Sequence, residues 1–181
     1  FIQKTNLYKL EDYNEQFLNE LLNCLNRMKI STKAQSLLKN GVQSTGNLFL
    51  VDEEPIQKLK SIIIQKINLY KEKMAEKKSN FIYNWPEKFN LYGWLIVMNK
   101  GGNLGFHMHK EGWMSGSLYL KRPEKSNTND GDIVFSKHGS NYPTDGKFYE
   151  QRVLDIKKGD MILFPSSVFH GTVPFESNEQ R

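Results

Sequence analysis

The chain has one cysteine in 181 residues, Cys24. A lone thiol cannot close an internal disulfide, and no zinc-finger spacing or CxxC redox pair is present, so a reducing, cytoplasmic setting is expected. Long apolar runs are also missing. The densest patches, around Ile62–Ile64 and Leu95–Met98, fall far short of the about 20 apolar residues of a membrane-spanning helix, so a soluble protein is expected. The chain starts at Phe1 rather than Met and shows no charged-then-apolar leader, so it reads as a fragment without a visible targeting signal. Internal repeats, low-complexity tracts and Ser/His/Asp or Cys/His nucleophile patterns are absent. Charge is not concentrated in one sign: the net value is +5, but lysines alternate with acids, as in Lys71–Lys78. That texture reads as a solvated face, and nucleic acid is not the expected partner.

What is present is ample apolar material, 38% hydrophobic with 12% aromatic, enough for one core. One domain over 1–181 is expected, helical over 1–80 and β-rich over 81–181. Asp12 followed by Glu15 has the form of a capping box, and Tyr13, Phe17, Leu21, Leu25 and Met28 recur at helical spacing, predicting a helix over about 12–29. A polar, glycine-punctuated stretch follows from Gly41 to Gly46. The apolar run Asn47–Val51 then suggests a short strand. Asp52 as cap and Pro55 in the first turn open a second helix with a stripe of Ile56, Leu59, Ile63, Ile67, Tyr70 and Met74. Both stripes read as core packing.

From about residue 81 short β-type segments alternate with turns: Leu91–Asn99, Ser115–Leu120, Asp132–Phe135, Arg152–Ile156, Met161–Phe164 and Phe169–Val173. The gaps leave no room for crossover helices, so an antiparallel sandwich or barrel is expected. Lys157–Asp160 is the predicted hairpin turn into the Met161 strand. The segment Arg122–Tyr149 reads as loop, of the kind that closes over a ligand at a barrel mouth.

With cysteine nearly absent, a transition-metal site has to be built from carboxylates and the four histidines, His107, His109, His138 and His170. In extended chain His107 and His109 project from the same side and can share one ion. His170, beside an apolar strand, supplies a distant third ligand. Three protein ligands on one face leave the other open, as catalytic sites require. His138 reads as an ordinary loop residue.

Three groups of residues carry a family resemblance: Gly41-Val42-Gln43-Ser44 with Asn47-Leu48-Phe49; His107-Met108-His109 with Trp113-Met114-Ser115-Gly116-Ser117-Leu118-Tyr119-Leu120; and Phe164-Pro165-Ser166 with His170, Val173-Pro174 and Arg181. Together they resemble the Fe(II)- and 2-oxoglutarate-dependent oxygenases, in an HxH subgroup. The Gly101-Gly102 pair five residues before His107 resembles the corresponding run of prolyl hydroxylases. The resemblance covers about 41–181. It implies an α+β protein with a mainly β core, a distorted double-stranded β-helix (jelly roll, cupin-like) with N-terminal helices packed on it. It implies Fe(II) held by His107, His109 and His170, with His109 standing where the family commonly has an acid. Glu111 is the alternative middle ligand if the register slips by two. It further implies that Arg181, eleven residues after His170, pairs with the remote carboxylate of 2-oxoglutarate, with Tyr119 and Ser117 as neighbours on the cosubstrate face, and that the last strand continues past Arg181. Trp113 either lines the substrate entrance or packs.

The implied reaction hydroxylates a substrate C–H while 2-oxoglutarate and O2 become succinate and CO2. Two other readings stay open on the residues: a three-histidine, cupin-like metalloenzyme that does not use 2-oxoglutarate, and a non-catalytic metal- or ligand-binding β-barrel. The prime substrate and the oligomeric state are not legible in the sequence.

Overall fold

The N-terminal helices form where apolar residues recur every three to four positions. In the computed structural model, which describes residues 1–9, 14–139 and 142–181, α1 is Glu15–Arg27, α2 is Glu54–Met74 and α3 is Asn80–Tyr83. Helix α1 buries Phe17, Leu18, Leu21, Cys24 and Leu25. Its start differs from the expected capping box: Asn14 is the cap, its side chain accepting the Phe17 N–H at 3.2 Å, and Glu15 is already in the first turn. Asp12 and Tyr13 lie outside the described residues. Helix α2 has Pro55 in its first turn as predicted, but the cap is Glu53 rather than Asp52, and it makes no side-chain cap bond. Ile62 is buried where Ile63 was expected, with Ile63 packed partly against the same cluster.

Nine strands occur among the described residues: β1 Gln3–Asn6, β2 Thr32–Lys33, β3 Leu38–Ser44, β4 Ile96–Leu104, β5 Met114–Leu118, β6 Ile133–Ser136, β7 Gln151–Leu154, β8 Asp160–Pro165 and β9 Phe169–Thr172. They form three antiparallel sheets, in the orders β1-β8-β5, β2-β3-β4 and β7-β6-β9. The expected antiparallel arrangement is therefore present, although the first 80 residues are not purely helical. Strands β1 and β2 are short and polar, and β3 runs through the Gly41–Gly46 stretch with apolar residues only intermittently, so period-2 patterning does not reveal them. Leu48–Leu50 is a 3-10 turn instead of a strand. The Asn47 side chain explains it: its carbonyl accepts the Phe49 and Gly93 N–H groups at 3.1 and 3.0 Å, and its amide donates to Leu91 O. These local bonds take the backbone out of a ladder.

Strand β8 is buried along its whole length and divides the core by its pleat. Met161 and Leu163 join the cluster formed by α1 and α2, with Phe17, Leu21, Ile56 and Tyr70. Ile162 and Phe164 point the other way and pack with Tyr119, Ile133, Phe135 and Ile156. The helices thus cover one face of β8 and the third sheet covers the other. Lys157–Asp160 is a turn, with Gly159 at φ +81°, but not a hairpin: β7 pairs with β6 while β8 pairs with β1 and β5, so the chain changes sheets there. It changes again between β8 and β9, at Pro165–Val168.

The described residues of the long segment after β5 are loop apart from β6, as expected. A buried ion cluster ties its first half down. Asp132, 1% exposed, receives Arg122 at 3.0 Å, Lys125 at 2.7 Å and the Ile156 N–H at 3.1 Å, and Lys125 reaches Asp155 at 2.6 Å. No helix of the described residues is long and apolar enough to cross a membrane.

Candidate metal centre

The residues that follow β4 turn toward β9. There His107 and His170 form an antiparallel bridge, exchanging N–H···O=C bonds of 2.9 Å in both directions. A hydrogen-bonded pair of this kind sets two side chains on one face, facing each other across the ladder. His109, two residues on, projects from the same side, and its N–H donates to Ser166 O at 3.0 Å. The imidazole centroids are 4.3 Å apart for His107 and His170, 5.0 Å for His107 and His109, and 5.2 Å for His109 and His170. One nitrogen from each ring lies within 4.8 Å of the others, the only such triad of metal-binding side chains among the described residues.

Two of the rings have assigned tautomers. His107 Nδ1 is 2.8 Å from Gly105 O and His170 Nδ1 is 3.0 Å from Val168 O. A carbonyl only accepts, so Nδ1 carries the proton in both and Nε2 keeps its lone pair. Such a bond from the far nitrogen is the usual support of a metal-binding imidazole. Burial pushes the His170 pKa down to about 3, helped by the neighbouring His107 and His109, and His109 is lowered by burial and then by His107. Burial therefore favours the neutral form of His170 and His109, the form that ligates. A convergent, neutral, all-nitrogen donor set fits a divalent first-row transition ion.

Glu111 is exposed and does not join the triad. His138 is also elsewhere: its Nε2–H is shared between Tyr142 O and Pro143 O, and its ring stacks on Tyr149. Trp113 stacks on Phe81 at 5.4 Å, so one face packs against the helical region while the residue stays 38% exposed. Cys24 is buried in the helix core.

Ser117 Oγ donates to the Tyr119 hydroxyl at 3.2 Å, which puts both on one face of the β5 chain. Tyr119 shares a cluster with Phe164, whose ring is 4.7 Å from that of His170. Arg181 comes to the same place from β4. Its N–H and C=O pair with Met98 at 2.9 and 2.8 Å, and its guanidinium lies 5.0 Å from the Tyr119 ring centroid. Burial lowers its pKa, and among the described residues no carboxylate comes within ion-pair distance of it. A half-buried guanidinium with no carboxylate in ion-pair reach favours a bound anion.

Trp94 is the residue that sequence reasoning missed. Its ring is 5.9 Å from that of His109 and 38% of it is exposed, so it borders the histidines on the open side. The available signal is the alternation Tyr92, Trp94, Ile96, Met98, which leads from an exposed aromatic to the Met98 sulfur 3.8 Å from Arg181 Nη1.

The whole fold resembles solved structures. A prolyl-4-hydroxylase from Pseudomonas putida superposes with a TM-score of 0.62 at 12% identity, over 99% of this chain and 87% of that one. A Trichoplax adhaerens prolyl hydroxylase, in complex with a hypoxia inducible factor oxygen degradation domain peptide fragment, gives 0.62 at 13%, over 99% and 79%. HygX from Streptomyces hygroscopicus, with nickel, 2-oxoglutarate and hygromycin B bound, gives 0.60 at 14%, over 99% and 79%. None of the curated proteins matches in sequence. Residues 92–181, which contain all three histidines of the triad and Arg181, match the family model described as "Putative 2OG-Fe(II) oxygenase". Over those residues the chain belongs to the 2OG-Fe(II) oxygenases, oxidoreductases whose cofactors are Fe(II) and 2-oxoglutarate.

Proposed function

We propose that His107, His109 and His170 hold the Fe(II) and that Arg181, with Tyr119 and Ser117, receives the remote carboxylate of 2-oxoglutarate. The observation that carries this reading is the convergence of three imidazoles, two with Nδ1 tied to backbone carbonyls so that Nε2 faces the other rings. Bound Fe(II) with 2-oxoglutarate supplies the oxidising chemistry, in which 2-oxoglutarate, O2 and a substrate C–H become succinate, CO2 and C–OH. The three imidazoles bring no negative charge, so the centre keeps the full charge of the ion, and the anionic cosubstrate neutralises it. Arg181 orients that cosubstrate: its burial strengthens a charge-assisted pair, and the Tyr119 ring fixes the guanidinium plane. The apolar wall of Phe135, Phe164 and Ile162 keeps water from the far side of His170.

We read the architecture as one oxygenase domain over 1–181, a distorted double-stranded β-helix with the helices packed on β8 and β5. The free, buried Cys24 supports a reducing, cytoplasmic setting. The prime substrate enters past Trp94, the exposed ring beside His109.

The test is anaerobic addition of Fe(II) and 2-oxoglutarate to the protein. A visible charge-transfer band, and succinate release once O2 is admitted, are expected. A protein that binds Fe(II) but gives neither band nor succinate overturns the assignment of Arg181, Tyr119 and Ser117. One that binds no Fe(II) overturns that of the histidines.

A further inference from the structure

Two of the three imidazoles are braced through their own Nδ1–H groups, whereas the ring of His109 makes no such bond among the described residues. Its position therefore depends on where the backbone puts it. That backbone is clamped by Ser166, which is fully buried at the corner where the chain leaves β8. Ser166 O accepts the His109 N–H at 3.0 Å, and Ser166 N–H donates to Trp113 O at 3.1 Å, so one residue grips the 109–113 loop at both ends. Its hydroxyl lies 2.7 Å from the Oγ of Ser115, the second residue of β5, just past that loop. Inside the loop Gly112 N–H returns to His109 O at 3.3 Å. A Cβ on Gly112 would stand 2.6 Å from Ser166 Oγ, so the loop closes onto the serine only because that side chain is missing.

We propose that Ser166 is the positioning residue of His109, its peptide setting the histidine backbone and its hydroxyl locking that peptide to Ser115. This rests on the reading that His109 is a metal ligand. It also assigns a purpose to two residues of the sequence motifs, the serine after Phe164-Pro165 and Ser115.

The experiment is a Co(II) titration of the full chain, followed by the visible d–d spectrum, with the unfolding midpoint measured in parallel. Ser166→Ala is expected to weaken Co(II) about 10- to 100-fold, the usual effect of removing a group that orients a ligand, and to shift the d–d bands. Ser115→Ala, which removes the same hydrogen bond from its other end, is expected to do likewise. The decisive comparison is made in the His109→Ala background, where Ser166→Ala should cost nothing further in Co(II) affinity, because the residue through which it acts is gone. An equal loss in both backgrounds, or a lowered midpoint with unchanged affinity and bands, overturns the proposal in favour of a structural role. If His109→Ala itself leaves Co(II) affinity and spectrum intact, the ligand reading fails instead, and the two failures are told apart.

Discussion

His107 and His170 exchange both backbone hydrogen bonds, at 2.9 Å each, across a single antiparallel bridge. Residues 63 positions apart in sequence thereby become direct cross-strand neighbours, with ring centroids 4.3 Å apart. The ladder, and not the side chains, sets the spacing of this pair. Neutral imidazoles tolerate that proximity, whereas two imidazolium ions would repel strongly.

Replacing either member of the pair should remove the metal while sparing the fold. For His107→Ala and His170→Ala we expect loss of tight Co(II) or Ni(II) binding in an equilibrium titration, since two ligands are left of three. The unfolding midpoint in chelator should move far less, because the backbone bridge that sets these two residues together does not depend on either ring. Retained tight binding in both variants would point the metal away from this triad.

Acid should destabilise the metal-free protein. The His170 pKa is depressed to about 3 from an unfolded value near 6.5, so its contribution is fully present above about pH 6.5 and declines as pH falls toward 3, a window in which the unfolded chain holds more protons. His109 is shifted in the same direction. Urea midpoints measured in chelator between pH 7 and pH 4 should fall with pH. The His170→Ala variant should show a flatter dependence, and an equally steep one would place the sensitivity elsewhere.

Arg181→Gln should act on the cosubstrate and not on the metal. Losing a charge-assisted contact costs about 1.5–3 kcal/mol, so half-saturation by 2-oxoglutarate, read from the charge-transfer band, should rise roughly 10- to 100-fold. Co(II) affinity should stay near that of the parent chain. Unchanged 2-oxoglutarate binding would remove Arg181 from the cosubstrate site.

Asp132→Ala should be among the most damaging substitutions far from the triad. Asp132 is 1% exposed and its partner Arg122 is 6% exposed at the side chain, so the substitution strands a buried guanidinium. Breaking a buried pair from one side costs about 3–5 kcal/mol, which should lower the thermal midpoint by several degrees and loosen the loop between β5 and β6. Asp132→Asn, which keeps one acceptor for Ile156 N–H, should cost less. Equal stability in the alanine variant would mean that the cluster contributes no net energy.

The amino-acid sequence by itself determined the elements whose signals are local. Apolar spacing placed α1 and α2, Pro55 marked the start of α2, and short alternating runs located β5 to β9 to within a residue or two at most ends. The HxH pair and the distant histidine were legible because two residues in extended chain share a face and because the motifs around them resemble one family. Polar strands such as β1 and β3 were hidden, since their partners are far away in sequence and only pairing makes them strands. The same holds for the cap of α1, taken by Asn14, and for the 3-10 turn imposed by the Asn47 side chain. Only the tertiary structure decided which histidine faces which, that Arg181 is set over Tyr119 by pairing with Met98, that Trp94 borders the triad, and that Ser166 grips the loop carrying His109. The bridge, the Arg181 pairing and the Ser166 grip join segments more than 50 residues apart, and Trp94 meets His109 only because the chain between them folds back, so none of these is encoded in a local pattern.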